Sequence, residues 1–486
     1  MTRPLFVPFL VALAVAACTD DPSPAAPDAG SPDAASLEAS PPSTADAGDA
    51  GTRTIASGIY VTTKVGNLTL PLDASDGSLA KIVGRPYVRG ISLQFDWADL
   101  EPTQGAYVDI VVQAVAAVRK LAAAAGKALT VKVHLRNGLP PAWIVPDGAA
   151  GDSGTEPFVF TTPLGFRALG QVSGKNGRKV DVTFIPTEPA YFARAEANIA
   201  EFGRQLEVAD PNVDLVQIVQ VAGPSSESGG TMRLTPRDKF PRNGAVDGWG
   251  FGWTFPKHIE AWRAMGPFMA KLPAYQKRQW TFDLTHQQPK DETSFGLTTA
   301  DQMAVTEALV SAHPRGKAGI RLMNEGASAE TNTPGYSLDG GAPTSCSWSV
   351  DNFDNPTTLP ETTIAAWPGH EWQIQVAADA SYNFPRFELA RVTLFGDPRT
   401  TTPTSLQHTT FVEIHDTQAL DDENPLLDGT SGKAWYGCFD AMLRKYAGES
   451  ATLSDADRSF WTAMPSLSTF GCQAYPPPPP ATTCAP

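Results

Sequence analysis

The sequence is poor in the residues that hold metals and carry redox chemistry. Among 486 residues it has seven histidines, scattered singly, and five cysteines, none in a Cys-x-x-Cys pair. His-Glu-x-x-His, Gly-x-Ser-x-Gly, Gly-x-x-x-x-Gly-Lys and the dinucleotide glycine fingerprint are all missing. A zincin site, a serine-hydrolase elbow, a phosphate loop and a Rossmann cofactor site are therefore not indicated. No cofactor and no catalytic metal is implied. Positive charge is scarce as well: 37 Lys and Arg stand against 52 Asp and Glu, a net charge of −15. No basic patch invites nucleic acid.

The ends of the chain read as export machinery. An apolar run from Leu5 to Ala17 follows the single cation Arg3 and ends in small residues, which makes a secretory signal too short to span a bilayer comfortably. Val15-Ala16-Ala17-Cys18 resembles a bacterial lipoprotein cleavage box, so residues 1–18 are expected to be a signal with Cys18 as the lipidated residue of an envelope protein. Residues 19–54 are Ala, Pro, Ser, Asp and Gly with seven carboxylates and almost no large apolar side chain, the composition of a disordered tether. Cys346, Cys438, Cys472 and Cys484 remain after Cys18. In an exported chain two disulfides are their expected use, in any of three connectivities. Residues 471–486 form a tail with five consecutive prolines, a polyproline strut.

Between residues 55 and 470 apolar strand-like runs alternate with amphipathic helical ones, the pattern of βα units around a parallel sheet. The runs fall at 58–63, 87–95, 128–135, 213–221, 279–284, 318–323, 372–376 and 409–415. Eight is the number that a (β/α)8 TIM barrel requires. Helices are marked at 108–125, from Thr187-Glu188-Pro189, from Thr299 to Pro314 and from Pro385. The span exceeds the ~250 residues of a minimal barrel, and the excess lies in connections 138–186, 222–255 and 324–370. Each follows a strand, which puts long loops on the catalytic face. They carry Trp143, Trp249, Phe251, Trp253, Trp348 and Trp367, flat apolar surfaces on which the C–H faces of a sugar ring can stack; about half of such tryptophans are ordinary packing residues.

The fourth run breaks at Gly223-Pro224 and presents one carboxylate, Glu227, beyond its carboxyl end, where a parallel barrel carries its catalytic groups. Period-two alternation groups Lys132, His134 and Arg136 on one face of the third strand and Gln373 with Gln375 on one face of the seventh. His134, Arg136 and Gln373 are candidates to line a polar subsite. Arg89 and Asp96 fall on opposite faces of the second strand and are not a pair.

The segment Arg89 to Tyr107, with Asp96-Trp97-Ala98-Asp99-Leu100-Glu101-Pro102, Gly105 and Tyr107, followed by a helix, a strand and Pro140-Pro141-Ala142-Trp143, resembles the early part of clan A glycoside hydrolases such as the family 42 β-galactosidases. The resemblance implies a carbohydrate substrate and a retaining, two-carboxylate mechanism in which one acid is protonated and its partner ionised. It places the acid/base at the end of the fourth strand, at Glu227, although Ser226 stands where that clan usually has Asn. It places the nucleophile at the end of the seventh, where Glu371 is the first candidate. A strand at 372–376 would put Glu371 at its start and one at 364–370 would put it at its end. Glu325, after the sixth strand, and Glu413 and Asp416 in the last are rivals. Trp97 and the loop tryptophans Trp143, Trp249 and Trp253 would contact sugar. Two other classes stay open: a barrel that holds glycan without cleaving it, and a structural envelope protein.

Overall fold

The structure, a computed structural model, describes residues 55–325 with internal gaps, Trp367, and the segments 370–375 and 411–415. Cys18 and the tether, the four later cysteines, the proline tail, the helix expected from Pro385, and Glu227, Trp348 and Asp416 lie outside the described residues. Among the described residues no helix is long and apolar enough to cross a membrane.

The described strands are β1 (Gly58–Lys64), β2 (Val88–Asp96), β3 (Thr130–Arg136), β4 (Phe158–Thr161), β5 (Arg167–Ser173), β6 (Lys179–Thr183), β7 (Val216–Gln220), β8 (Gln279–Asp283), β9 (Ile320–Glu325), β10 (His370–Gln375) and β11 (Phe411–His415). Eight of them close a barrel in the order β1-β11-β10-β9-β8-β7-β3-β2, and every pairing in it is parallel. All eight expected runs are barrel strands, with boundaries moved by up to three residues.

Alternation explains why these segments are strands. In β3, Val131, Val133 and Leu135 belong to the main apolar core, and Thr130, Lys132, His134 and Arg136 face the barrel axis. In β2, Ile91, Leu93 and Phe95 face outward into the same core, and Gly90, Ser92, Gln94 and Asp96 face inward. Each fully buried aliphatic side chain contributes roughly 1.5–3 kcal/mol, so a one-residue slip would turn a whole strand inside out. Among the described residues the helices are α1 (Gly77–Gly84), α2 (Trp97–Leu100), α3 (Ile110–Ala124), α4 (Pro189–Ala209), α5 (Phe255–Met269), α6 (Pro273–Gln276) and α7 (Thr299–Ala312). Val111, Val115, Val118 and Leu121 form the buried stripe of α3; α4 opens with Pro189 in its first turn, where its missing N–H costs nothing.

The barrel interior changes character along its axis. At the amino end Tyr60 stacks on Phe411 with centroids 3.9 Å apart, and Ile55 and Ile218 complete an apolar plug. Gly90 is required there, since a Cβ would lie 2.2 Å from the Tyr60 ring. One layer up, Lys132 and Glu413 form an ion pair of 2.8 Å, their side chains 0% and 1% exposed. Thr62 Oγ1 donates to the other Glu413 oxygen at 2.5 Å.

The connection between β3 and α4 holds an unexpected element. Strands β4, β5 and β6 form an antiparallel sheet of their own. It shares a second core, with Trp97, Ile144, Phe166, Phe184 and Tyr191, set apart from that of the barrel.

Candidate functional site

The last residues of the eight barrel strands are Lys64, Asp96, Arg136, Gln220, Asp283, Glu325, Gln375 and His415. Every one is polar or ionisable, whereas the opposite end of the barrel is plugged by apolar rings. Over the ends of β1, β2 and β3 opens a cleft of about 700 Å³ whose floor is Lys64, Asp96 and Arg136. Gly138 to Ala142 and Ile144 make one wall, and β5 and β6 make the other through Gln171, Val180, Asp181 and Val182.

Asp96 and Arg136 are register partners at the ends of adjacent strands. The guanidinium grips a single carboxylate oxygen: Nε donates to Asp96 Oδ1 at 2.6 Å and Nη2 also contacts that atom. The Asp96 backbone N–H donates to Asp99 Oδ2 at 2.8 Å, fixing the turn from β2 into α2. Burial pushes the Asp96 carboxyl above its ordinary range, with the Arg136 charge pulling the other way and Asp99 adding to the rise. Burial likewise raises Asp99, against the hydrogen bond from the Asp96 backbone.

The segment that carries the glycosidase resemblance is tied down by Glu101, which is 0% exposed. Its carboxylate accepts from Trp97 Nε1 at 2.7 Å and from the Gly105 N–H at 2.7 Å, and pairs with Arg194 of α4. Its carbonyl accepts from Trp143 Nε1 at 3.1 Å. The Leu-Glu-Pro and Pro-x-Trp elements thus fasten the connections after β2 and β3 to each other, and charge-assisted bonds such as that of Arg194 to Glu101 are the strong ones. Nearby, Tyr107 Oη donates to Asn198 Oδ1 at 3.0 Å, and burial, helped by Glu201, pushes its phenol up to about 12.

That arrangement corrects the expected sugar platforms. Trp97 is 0% exposed, its ring edge-on to Trp143 and covered by Phe184, so no ligand reaches it. Trp143 is half-buried. Trp253 is 2% exposed and packs against Phe240, Phe255 and His258; it is a core residue. Trp249 is half-buried against the main core. The Gly-Trp-Gly-Phe-Gly-Trp run folds around one carboxylate: Asp247 accepts the backbone N–H groups of Trp249, Phe251 and Trp253 at 3.3, 2.8 and 3.1 Å. Trp367 is 8% exposed, with the Lys317 ammonium 4.7 Å from its ring centre.

The carboxylate candidates separate by position. Glu413 sits mid-strand inside the barrel, committed to Lys132 and Thr62, and a buried ion-paired carboxylate beneath the rim is no nucleophile. β10 begins at His370, so Glu371 stands at the amino end of the seventh barrel strand, level with Met323 and Phe411. The carboxyl-end position that the resemblance asks for is not where Glu371 lies. Glu325 closes β9 at the carboxyl end, in register with Gln373. His134 is 1% exposed within the barrel, and Arg136 lines the cleft.

The Asp96–Arg136 pair escaped the sequence reading, which tested Asp96 only against Arg89. The usable signal was that both end adjacent strands in the same inward phase. Asp247 also escaped, although an Asp before a Gly-rich turn is a common acceptor for successive N–H groups.

No protein-family model matches the chain, and no curated protein sequence matches it either. Among solved structures, a glycoside hydrolase family 5 enzyme from Prevotella bryantii B14 aligns with TM-score 0.38 and 8% identity, covering 80% of this chain and 95% of that one. A modular endo-β-1,4-mannanase from Cellulomonas fimi aligns with TM-score 0.33 and 10% identity, covering 74% of this chain and 65% of the mannanase. Pyruvate kinase from Pyrobaculum aerophilum gives TM-score 0.32 and 11% identity, covering 76% and 69%. Glycosidases and a kinase stand together at these values, so the likeness does not decide an activity.

Proposed function

We propose that this chain is an exported, lipid-anchored glycoside hydrolase working at the carboxyl-end rim of its barrel. The observation that carries this is the polarity of the axis: an apolar plug at one end, and eight strands that all finish on hydrogen-bonding or ionisable residues at the other. A cleft opens over that rim, in a chain whose early segment resembles clan A glycosidases. The reaction needs two carboxyl groups across one glycosidic bond. Glu227, four residues beyond Gly223 at the exit of the fourth barrel strand, is the acid/base. Glu325, at the carboxyl end of the sixth, takes the partner role in place of Glu371. A retaining mechanism sets the two carboxyls ~5–5.5 Å apart.

The test is turnover of a panel of aryl glycosides. Glu227→Gln should abolish release of the aryl group from any substrate that the wild type cleaves, with ligand binding kept, and Glu325→Gln should do the same. Unchanged turnover in either variant removes that residue from the mechanism. Ser226 in place of Asn favours a second reading, a barrel that holds glycan without cleaving it. Binding without product release across the panel would decide for that reading. Anchoring through Cys18 is tested by Cys18→Ser, which should move the chain from the membrane fraction to the soluble fraction.

A further inference from the structure

We propose that the cleft over β1, β2 and β3 is a specificity subsite for an uncharged sugar unit, read by Asp96, Arg136 and Lys64. This rests on the glycosidase reading and adds the substrate class. Among the described residues, the charged ones lining the cleft are two cations, Lys64 and Arg136, and two carboxylates, Asp96 and Asp181. The described lining therefore balances to zero in a chain that carries −15 overall. An anionic unit such as a uronate would meet Asp96 and Asp181, and an amino sugar would meet Lys64 and Arg136. A polyol without charge meets donors and an acceptor on the same floor.

The floor is built for this kind of contact. Arg136 is 5% exposed, and Nε and Nη2 both engage Asp96 Oδ1, so its fork is held in one orientation. Its third nitrogen, Nη1, makes no hydrogen bond among the described residues. Lys64 is exposed and has no ion pair among the described residues. Asp96 keeps a quarter of its side chain exposed. Two donors thus flank one charged acceptor, a set suited to the hydroxyls of a sugar ring. Leu139, Pro140 and Ile144 on one wall, with Val180 and Val182 on the other, offer apolar contact to its C–H faces. A volume of about 700 Å³ lies within the usual range for small-molecule sites.

The experiment uses the purified full chain with p-nitrophenyl glycosides matched in pairs, neutral hexosides against the corresponding uronides. Binding of each is measured by calorimetry beside the rates. The wild type should favour the neutral member by at least about tenfold in kcat/KM or, failing turnover, in affinity. Asp96→Asn and Lys64→Met should each raise KM or Kd about tenfold, the scale of one charge-assisted hydrogen bond, with kcat changed by less than a few-fold. Asp96→Asn unpairs a buried guanidinium, so a circular dichroism melt accompanies it; where that variant fails to fold, the exposed Lys64→Met carries the test. Preference for uronides, or an unchanged KM and Kd in the folded variants, overturns the subsite and leaves the glycosidase reading standing. Neither binding nor cleavage of any glycoside by the wild type overturns both.

Discussion

Breaking the ion pair inside the barrel should cost far more than removing it whole. Lys132 Nζ lies 2.8 Å from Glu413 Oε2 with both side chains out of solvent, and Thr62 donates to the second oxygen. Lys132→Met removes the ammonium 2.8 Å from the Glu413 carboxylate, and Glu413→Gln turns an amide N–H₂ towards that ammonium. Stranding one member of such a pair costs about 3–5 kcal/mol. The double variant Lys132→Met/Glu413→Gln removes both charges of this pair, and the Gln oxygen can still accept from Thr62. Its cost should fall to roughly 1–2 kcal/mol, that of an imperfectly packed polar substitution. The coupling from a double-mutant cycle should then be several kcal/mol and favourable. Urea unfolding followed by far-UV circular dichroism gives all four free energies. Single variants costing less than about 1 kcal/mol, or a double variant equal to the sum of the singles, would refute the claim that these charges depend on each other.

Two further outcomes follow from the packing. His313 is 3% exposed; its Nδ1 accepts the Arg315 N–H and its Nε2 faces the Arg278 carbonyl, each at 3.0 Å, which sets a neutral ring with its proton on Nε2. Burial holds the imidazole below its ordinary 6.5, so between that value and the lower folded one the unfolded chain binds the extra proton. Stability is complete above pH 6.5 and is lost as the pH falls through that window. His313→Gln should flatten the slope in pH-dependent melts, and an unchanged slope would assign it to other groups. Gly223→Ala would place a Cβ 1.8 Å from the Trp262 ring, and overpacking of this kind costs about 1–3 kcal/mol. Its stability and tryptophan emission should both shift, and a wild-type emission spectrum with unchanged stability would show that the exit of β7 has room to spare.

The barrel was legible because its signal is repeated. Eight apolar runs alternating with helical ones demand the same burial, and β3 shows the inside-outside rule with Val131, Val133 and Leu135 outside and Lys132, His134 and Arg136 inside. Strand β10 shows the limit. Pro368-Gly369 left two registers open, and the start at His370 takes Glu371 to the wrong end of the strand for the expected nucleophile. Tryptophan was the poorest guide, because the same apolar ring suits a sugar face and a core: Trp97 and Trp253 went to the core. What drew them in was hydrogen bonding that composition does not display, Glu101 to the indole of Trp97 and Asp247 to the backbone of Trp253. The sheet β4-β5-β6 lay inside a stretch read only as a long loop. Its strand β4 buries a single residue, Phe160, and β5 buries Ala168, Leu169 and Gly170 in succession, so the sheet shows no period-two alternation.

The seam of the barrel lies between its first strand and its last, where β1 pairs with β11 from Gly58↔Phe411 to Thr62↔His415. More than 350 residues of chain separate the two sides of that junction, and such distant pairings come late in folding. Until residue 415 has been made and delivered, β1 presents a bare strand edge open to the wrong partner. Truncation before β11 would therefore yield an aggregation-prone open sheet rather than a smaller barrel.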